Sequence, residues 1–144
     1  MKEIRHTGIV VTDMQKSLKF YKDILGMKVI KDFKEKGGYI DGISGLSGVN
    51  LHMVKLIVDD GSMIELLQYI SHPGKVNARK RICDIGCSHI AFTVENIEKD
   101  YRRLLKHGIK FNSPPMVSPD GYAKVAFCHD PDGTAIELVE VIHK

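Results

Sequence analysis

Tryptophan is absent from this 144-residue chain, and cysteine and proline number only 3 and 5. Cys83, Cys87 and Cys128 are odd in number and lack CxxC spacing, which argues against a disulfide framework or a structural zinc site. The three thiols read as reduced and structural. Cys87 would share a strand face with His89, but nothing beside it marks a nucleophile. No apolar run approaches the roughly 18 residues of a membrane helix. Met1-Lys2-Glu3 leads directly into strand-like sequence with no secretory h-region, so a cytoplasmic protein with no membrane partner is expected. Charge of one sign is scarce too: 21 Lys and Arg against 18 Asp and Glu leave +3. The bases fall singly, as at Lys28, Lys31, Lys34 and Lys36, or in the short run Arg79-Lys80-Arg81. Without a stripe or interleaved aromatics they read as solvated faces, and no nucleic-acid partner is expected. A phosphate or carboxylate contact near Arg79 to Arg81 is a secondary option. Gly-x-Ser-x-Gly, dinucleotide and phosphate-loop signatures are all missing.

What remains is 43% hydrophobic and 27% charged, the composition of one ordinary globular domain or two small ones packed together. It says the same thing twice. Residues 4–12 have strand composition, Asp13 caps a helix with Met14, Leu18, Tyr21 and Leu25 on one face, and Gly26 closes it. In the second half, residues 88–95 read as a strand, Asn96 as the cap, Ile97, Tyr101 and Leu104 as the stripe, and Gly108 as the end. His6 and His89 each stand seven residues before their cap. Downstream, Asp60-Gly61 and Asp132-Gly133 are turn signals, each feeding a strand with a Glu four residues after the Gly, Glu65 and Glu137. The His-to-Glu separation is 59 residues in the first copy and 48 in the second. The extra residues are expected in the Gly-rich stretch 42–48, read as a mobile loop on the substrate side rather than a packed element. Pro114-Pro115 and residues 118–121 predict a second long loop before a strand at 122–128.

Strand alternation then isolates four side chains. Glu65 shares a face with Met63, Leu67 and Tyr69, and Glu137 with Ala135, Val139 and Val141. A carboxylate amid apolar neighbours is expensive unless a cation or donors meet it. His6 aligns with Gly8 and Val10, and His89 with Cys87, Ala91 and Thr93. The opposite face, Ile90, Phe92 and Val94, would pack under the helix. Alone, a strand His is most often a hydrogen-bonded, half-buried residue, and a Glu near a strand end is usually solvated. Recurrence of both types at equivalent places points instead to metal ligation by His6, Glu65, His89 and Glu137. Two imidazoles and two carboxylates cancel the charge of one divalent ion and suit nickel, cobalt, zinc, manganese or iron. His52, His72, His107 and His143 lack repeat partners and read as solvent or loop residues. His129 reads as part of the following turn, and Tyr69 and Tyr122 as core.

These residues resemble a known family. His6 followed by Asp13, the Phe20-Tyr21-x-x-x-Leu25-Gly26-Met27 run, Ser88-His89-Ile90-Ala91-Phe92, and Asp130-Pro131-Asp132-Gly133-x-x-Ile136-Glu137 are similar to the vicinal-oxygen-chelate superfamily of glyoxalase I, methylmalonyl-CoA epimerase, extradiol dioxygenases and bleomycin or fosfomycin resistance proteins. The resemblance implies an α+β fold in which two paired βαβββ modules form an incomplete β-barrel around a metal site. Here module 1 spans about 1–75, a linker about 76–85 and module 2 about 86–144. It implies one divalent ion held by His6, Glu65, His89 and Glu137, and a small-molecule carbonyl substrate. A homodimer is expected, because open sheet edges are sticky and family members bury them by pairing modules. Whether the ligands come from one chain or two is left open.

Departures sort the subfamilies. All four ligands are present, unlike in binding-only proteins of the bleomycin type. Phe127 stands where extradiol dioxygenases carry Tyr, no His occupies residues 118–126, and Glu65 supplies a fourth ligand, so ring cleavage is disfavoured. The ligand set resembles lactoylglutathione lyase, although Val10 and Tyr69 replace its glutathione-contacting Arg and Asn. Methylmalonyl-CoA epimerases are similar in length but carry Gln at the Glu65 position and a catalytic Glu near residues 46–48. The shared chemistry is enediolate formation with proton transfer next to a carbonyl. The resemblance implies Glu137 as the base, with Glu65 the other candidate. A metal-retaining binding protein without turnover is the alternative from another class.

Overall fold

A computed structural model describes residues 4–75, 81–86 and 88–142. The chain divides into two compact units, Met1–Val76 and Asn77–Lys144. In the first, β1 (Thr7–Val10) leads to α1 (Met14–Leu18), which continues as a π-helical stretch over Lys19–Ile24. Then come β2 (Lys28–Lys36), α2 (Gly38–Ser44), β3 (Asn50–Ile57) and β4 (Met63–Tyr69). The second unit holds β5 (His89–Thr93), α3 (Ile97–Lys106), β6 (Met116–Val117), β7 (Ala123–His129) and β8 (Ala135–Val141). Both sheets are four-stranded and open, ordered β1-β4-β3-β2 and β5-β8-β7-β6. In each, the first strand runs parallel to the last and the other pairings are antiparallel. These are the two βαβββ modules expected. No helix among the described residues is long and apolar enough to cross a membrane.

The caps form as the sequence predicts. The Asp13 carboxylate accepts from the backbone N–H groups of Gln15 and Lys16 at 2.9 and 3.1 Å, and Asn96 Oδ1 accepts from Lys99 N at 2.8 Å. In α3 the expected stripe holds: Ile97 and Leu104 are fully buried, and Tyr101 sits edge-on to Phe111 at 4.7 Å. The first helix departs from expectation. Leu18 and Leu25 are half-buried, whereas Ser17, Phe20 and Ile24 join Met14 and Tyr21 in the core. A π-helical turn holds more residues than an α turn, so the inward face slips in phase along the sequence. Ile9, Val54, Leu56, Ile64 and Leu66 form the buried face of the sheet, and Met14 N at the start of α1 donates to Gln68 Oε1 on β4 at 3.2 Å.

The Gly-rich stretch is a second correction, because part of it is helix α2 rather than a mobile loop. Ile40 is buried there in a cluster with Val49 and Leu51, against which Met53, Leu67 and Tyr69 pack. Gly45 ends the helix at φ 68°, a left-handed conformation that favours glycine. The Asp41 carboxylate then accepts from the backbone N–H of Gly48 and of Val49, both at 2.8 Å. These bonds hold the Asp41 carboxyl below its ordinary pKa.

Candidate metal centre

In unit 1, β1 lies beside β4 with Gly8 directly opposite Glu65. Alternation puts His6 on the face that Gly8 shares with Glu65, where a Cβ at position 8 would meet Leu67 Cδ1 at 3.4 Å. His6 Nε2 approaches Glu65 Oε2 to 3.3 Å. In unit 2, Ala91 is opposite Glu137 and His89 Nε2 lies 3.1 Å from Glu137 Oε2. Both carboxylates point from the sheet face away from the helix, with side chains 9% and 19% exposed. The imidazoles are more open, at 33% and 46%. Each unit therefore presents one nitrogen and one oxygen donor, converged and reachable. With metal–ligand bonds of about 2.1 Å, neighbouring donors of an octahedral ion are about 3.0 Å apart. The donor types and their spacing fit a divalent ion. Each unit brings two of the four ligand candidates together, and no three His, Cys, Asp or Glu cluster as a metal site among the described residues.

The two half-sites differ in one strand. Across β3, the residue opposite Glu65 is Lys55, whose Nζ lies 3.1 Å from Glu65 Oε1. Across β7, the residue opposite Glu137 is Phe127, and the His89 ring meets it edge-on at 5.4 Å. Sequence reasoning missed Lys55, although the signal that found Glu65 was there: a charge alternating with Leu51 and Met53 on an apolar face.

Other residues are placed as follows. His52 is on β3 rather than in a loop, with its Nε2 2.7 Å from Asp32 Oδ1. His129 ends β7 rather than sitting in the turn after it, and that turn is organised by Asp130, whose Oδ1 accepts from Asp132 N and Thr134 N. Tyr69 packs in the core cluster of α2, but Tyr122 is 54% exposed, against expectation. Cys128 is buried and its thiol is pushed up to about 11, by desolvation first and by the Asp130 charge second. That makes it an inert structural thiol, whereas Cys83 is exposed. Arg81 is engaged by Asp84 at 3.0 Å. Cys87, Arg79, Lys80 and His143 lie outside the described residues.

Residues 3–138 match the Glyoxalase/Bleomycin resistance protein/Dioxygenase superfamily. The chain belongs to that superfamily. A probable lactoylglutathione lyase of Synechocystis is 32% identical over 139 residues, covering 96% of this chain and 95% of that protein. The lactoylglutathione lyase of Schizosaccharomyces pombe is 35% identical over 149 residues, covering 95% of this chain but 47% of the yeast protein. Among solved structures, a glyoxalase family protein from Bacillus cereus superposes with a TM-score of 0.89 at 22% identity, over 99% of this chain and 96% of that one. That likeness shows the glyoxalase-superfamily fold.

Proposed function

We propose that this glyoxalase-superfamily protein is a metal-dependent lyase or isomerase that moves a proton at the carbon next to a carbonyl of a small-molecule substrate. The observation that carries the reading is the recurrence of a His–Glu pair at the same place in both units, at 3.3 and 3.1 Å. The lactoylglutathione lyases among the relatives agree with it in reaction class. His6, Glu65, His89 and Glu137 would hold a divalent ion, which would supply positive charge to stabilise the negative charge that develops next to the leaving proton. The chain's own part is positioning and proton transfer. Glu65 is held on both sides, by His6 and by Lys55, and is suited to keeping its place. Glu137 pairs with His89 alone among the described ion pairs and is the less tethered of the two carboxylates. It takes the proton from carbon and can return it to the neighbouring carbon.

The test is hydrogen exchange on small α-hydroxy carbonyl compounds labelled with deuterium at that carbon, in the presence of each candidate divalent ion. Metal-dependent loss of label is expected. Retention of label under every ion, with the compound bound, would make the protein a binding module and overturn the enzyme reading.

The same reading includes a homodimer. Each sheet leaves two edge strands, and Val29, Ile30, Met116 and Val117 on β2 and β6 are exposed apolar residues. Such edges are sticky unless covered. Light scattering at high micromolar concentration should give about twice the chain mass, and a monodisperse monomer would contradict it.

A further inference from the structure

The face of the first sheet that carries Glu65 also carries three lysines: Lys28 at the start of β2, opposite Ile57, and Lys31 and Lys55 directly opposite each other. Between Val29 and Lys31 the pairing of β2 with β3 slips by one residue: Val29 faces Leu56, but Lys31, not Ile30, faces Lys55. Such a bulge re-aims every side chain beyond it, and bulges recur beside active sites for that reason. Here it turns Lys31 and Phe33 onto the face of Lys55 and Glu65, while Ile30 is left 50% exposed. Like charges directly opposite in a sheet repel. Glu65 compensates Lys55 at 3.1 Å, and the Lys31 ammonium instead rests 4.5 Å above the Phe33 ring. One cation of the pair is therefore without a carboxylate among the described ion pairs. Glu35, the next acidic residue on this face of β2, is four residues further on, about 13 Å along the strand. Beyond the lysines the face is apolar, with Phe33 opposite Met53 and Met53 opposite Leu67.

Protection of an edge strand is a known duty of lysine. Lys34 and Lys36 already supply it on β2 from the other face, opposite His52 and Asn50, and Lys28, on the Glu65 face before the bulge, is engaged by Asp59 at 3.1 Å. The second unit has no such pair, since Phe127 stands where Lys55 does.

We propose that Lys31 and Lys55 form a receptor for an oxyanion substituent of the substrate, a carboxylate or a phosphate, beside Glu65. Phe33, beside the two lysines, receives the apolar part that carries it. The inference rests on the proposed function for the place of the substrate carbonyl, but the binding it requires is measured apart from turnover.

The test follows ligand binding by NMR titration at fixed ionic strength, on protein with its metal and after chelation. The probes are inorganic phosphate, pyruvate and its neutral counterpart hydroxyacetone. Pyruvate should bind at least about 10-fold more tightly than hydroxyacetone, in keeping with a charge-assisted bond. Lys31→Met should weaken pyruvate and phosphate about 5-fold or more. It should leave hydroxyacetone binding and metal content as they were, because Lys31 touches no metal-ligand candidate. Lys55→Arg should keep the preference for the charged probe, which Lys55→Met should lose. Stronger binding of phosphate than of pyruvate would identify the oxyanion as phosphate, and the reverse order as carboxylate. Equal affinity for pyruvate and hydroxyacetone, or anion binding that Lys31→Met leaves intact and chelation abolishes, would overturn the receptor. A chain that fails to exchange label yet keeps the Lys31-dependent anion preference would fail the enzyme reading alone.

Discussion

Glu137→Gln should lower turnover by about 10²–10⁴-fold while the chain folds and keeps part of its metal, the loss typical of removing one positioned acid–base group. The amide is nearly isosteric with the carboxylate and can still offer an oxygen, but it cannot accept a proton from carbon. The two carboxylates, of which the resemblance favours Glu137 as the base, differ in their surroundings. Glu65 is 7% exposed, with one oxygen toward His6 and the other on Lys55. Moving it breaks an ion pair on a low-dielectric face, where an unpartnered charge is costly. Glu137 faces Phe127 and Ala91, neither of which can bind it. Deuterium exchange and metal analysis on the same preparations check the assignment. Near-normal exchange in Glu137→Gln, with Glu65→Gln inactive but metal-loaded, would move the role to Glu65.

Much of this was legible because local chemistry fixed it. Asp13 and Asn96 satisfy backbone donors within three residues, and the Asp-Gly turns need only their own sequence. The buried strand faces follow from alternation, and the His–Glu pairs from the cost of a carboxylate on such a face. What escaped was set by contacts distant in sequence. Gly42 speaks against a helix, at roughly 1 kcal/mol for a glycine in an interior position. The helix forms because Ile40 finds Val49 and Leu51, and because Asp41 ties down the chain that follows. His52 lacked a repeat partner, yet Asp32 on the neighbouring strand holds it. The β2 bulge is silent for a different reason. Val29 and Ile30 are adjacent apolar residues, so the pattern shows no break where the phase changes, and only pairing with β3 reveals which face Lys31 occupies.

His89→Ala should strip the divalent ion and leave the fold in place. His89 is the first residue of β5, with its side chain 46% exposed, and its one ring neighbour, Phe127, remains packed in the sheet without it. Truncation there removes little core contact, so the melting curve of the chelated protein should hardly move. Metal binding should respond very differently. Loss of a group that merely supports a ligand costs roughly 10–100-fold in affinity. Removing one of the two nitrogen donors outright should cost more, and should leave Glu137 with no cation or donor on its Oε2 side. Elemental analysis of the purified variant against wild type, with circular dichroism to show the fold, checks both halves. His6→Ala should behave alike, since its pair has the same form in the other unit. Full metal content in purified His89→Ala would remove His89 from the ligand set, and with it the case that the repeated pairs exist to hold an ion.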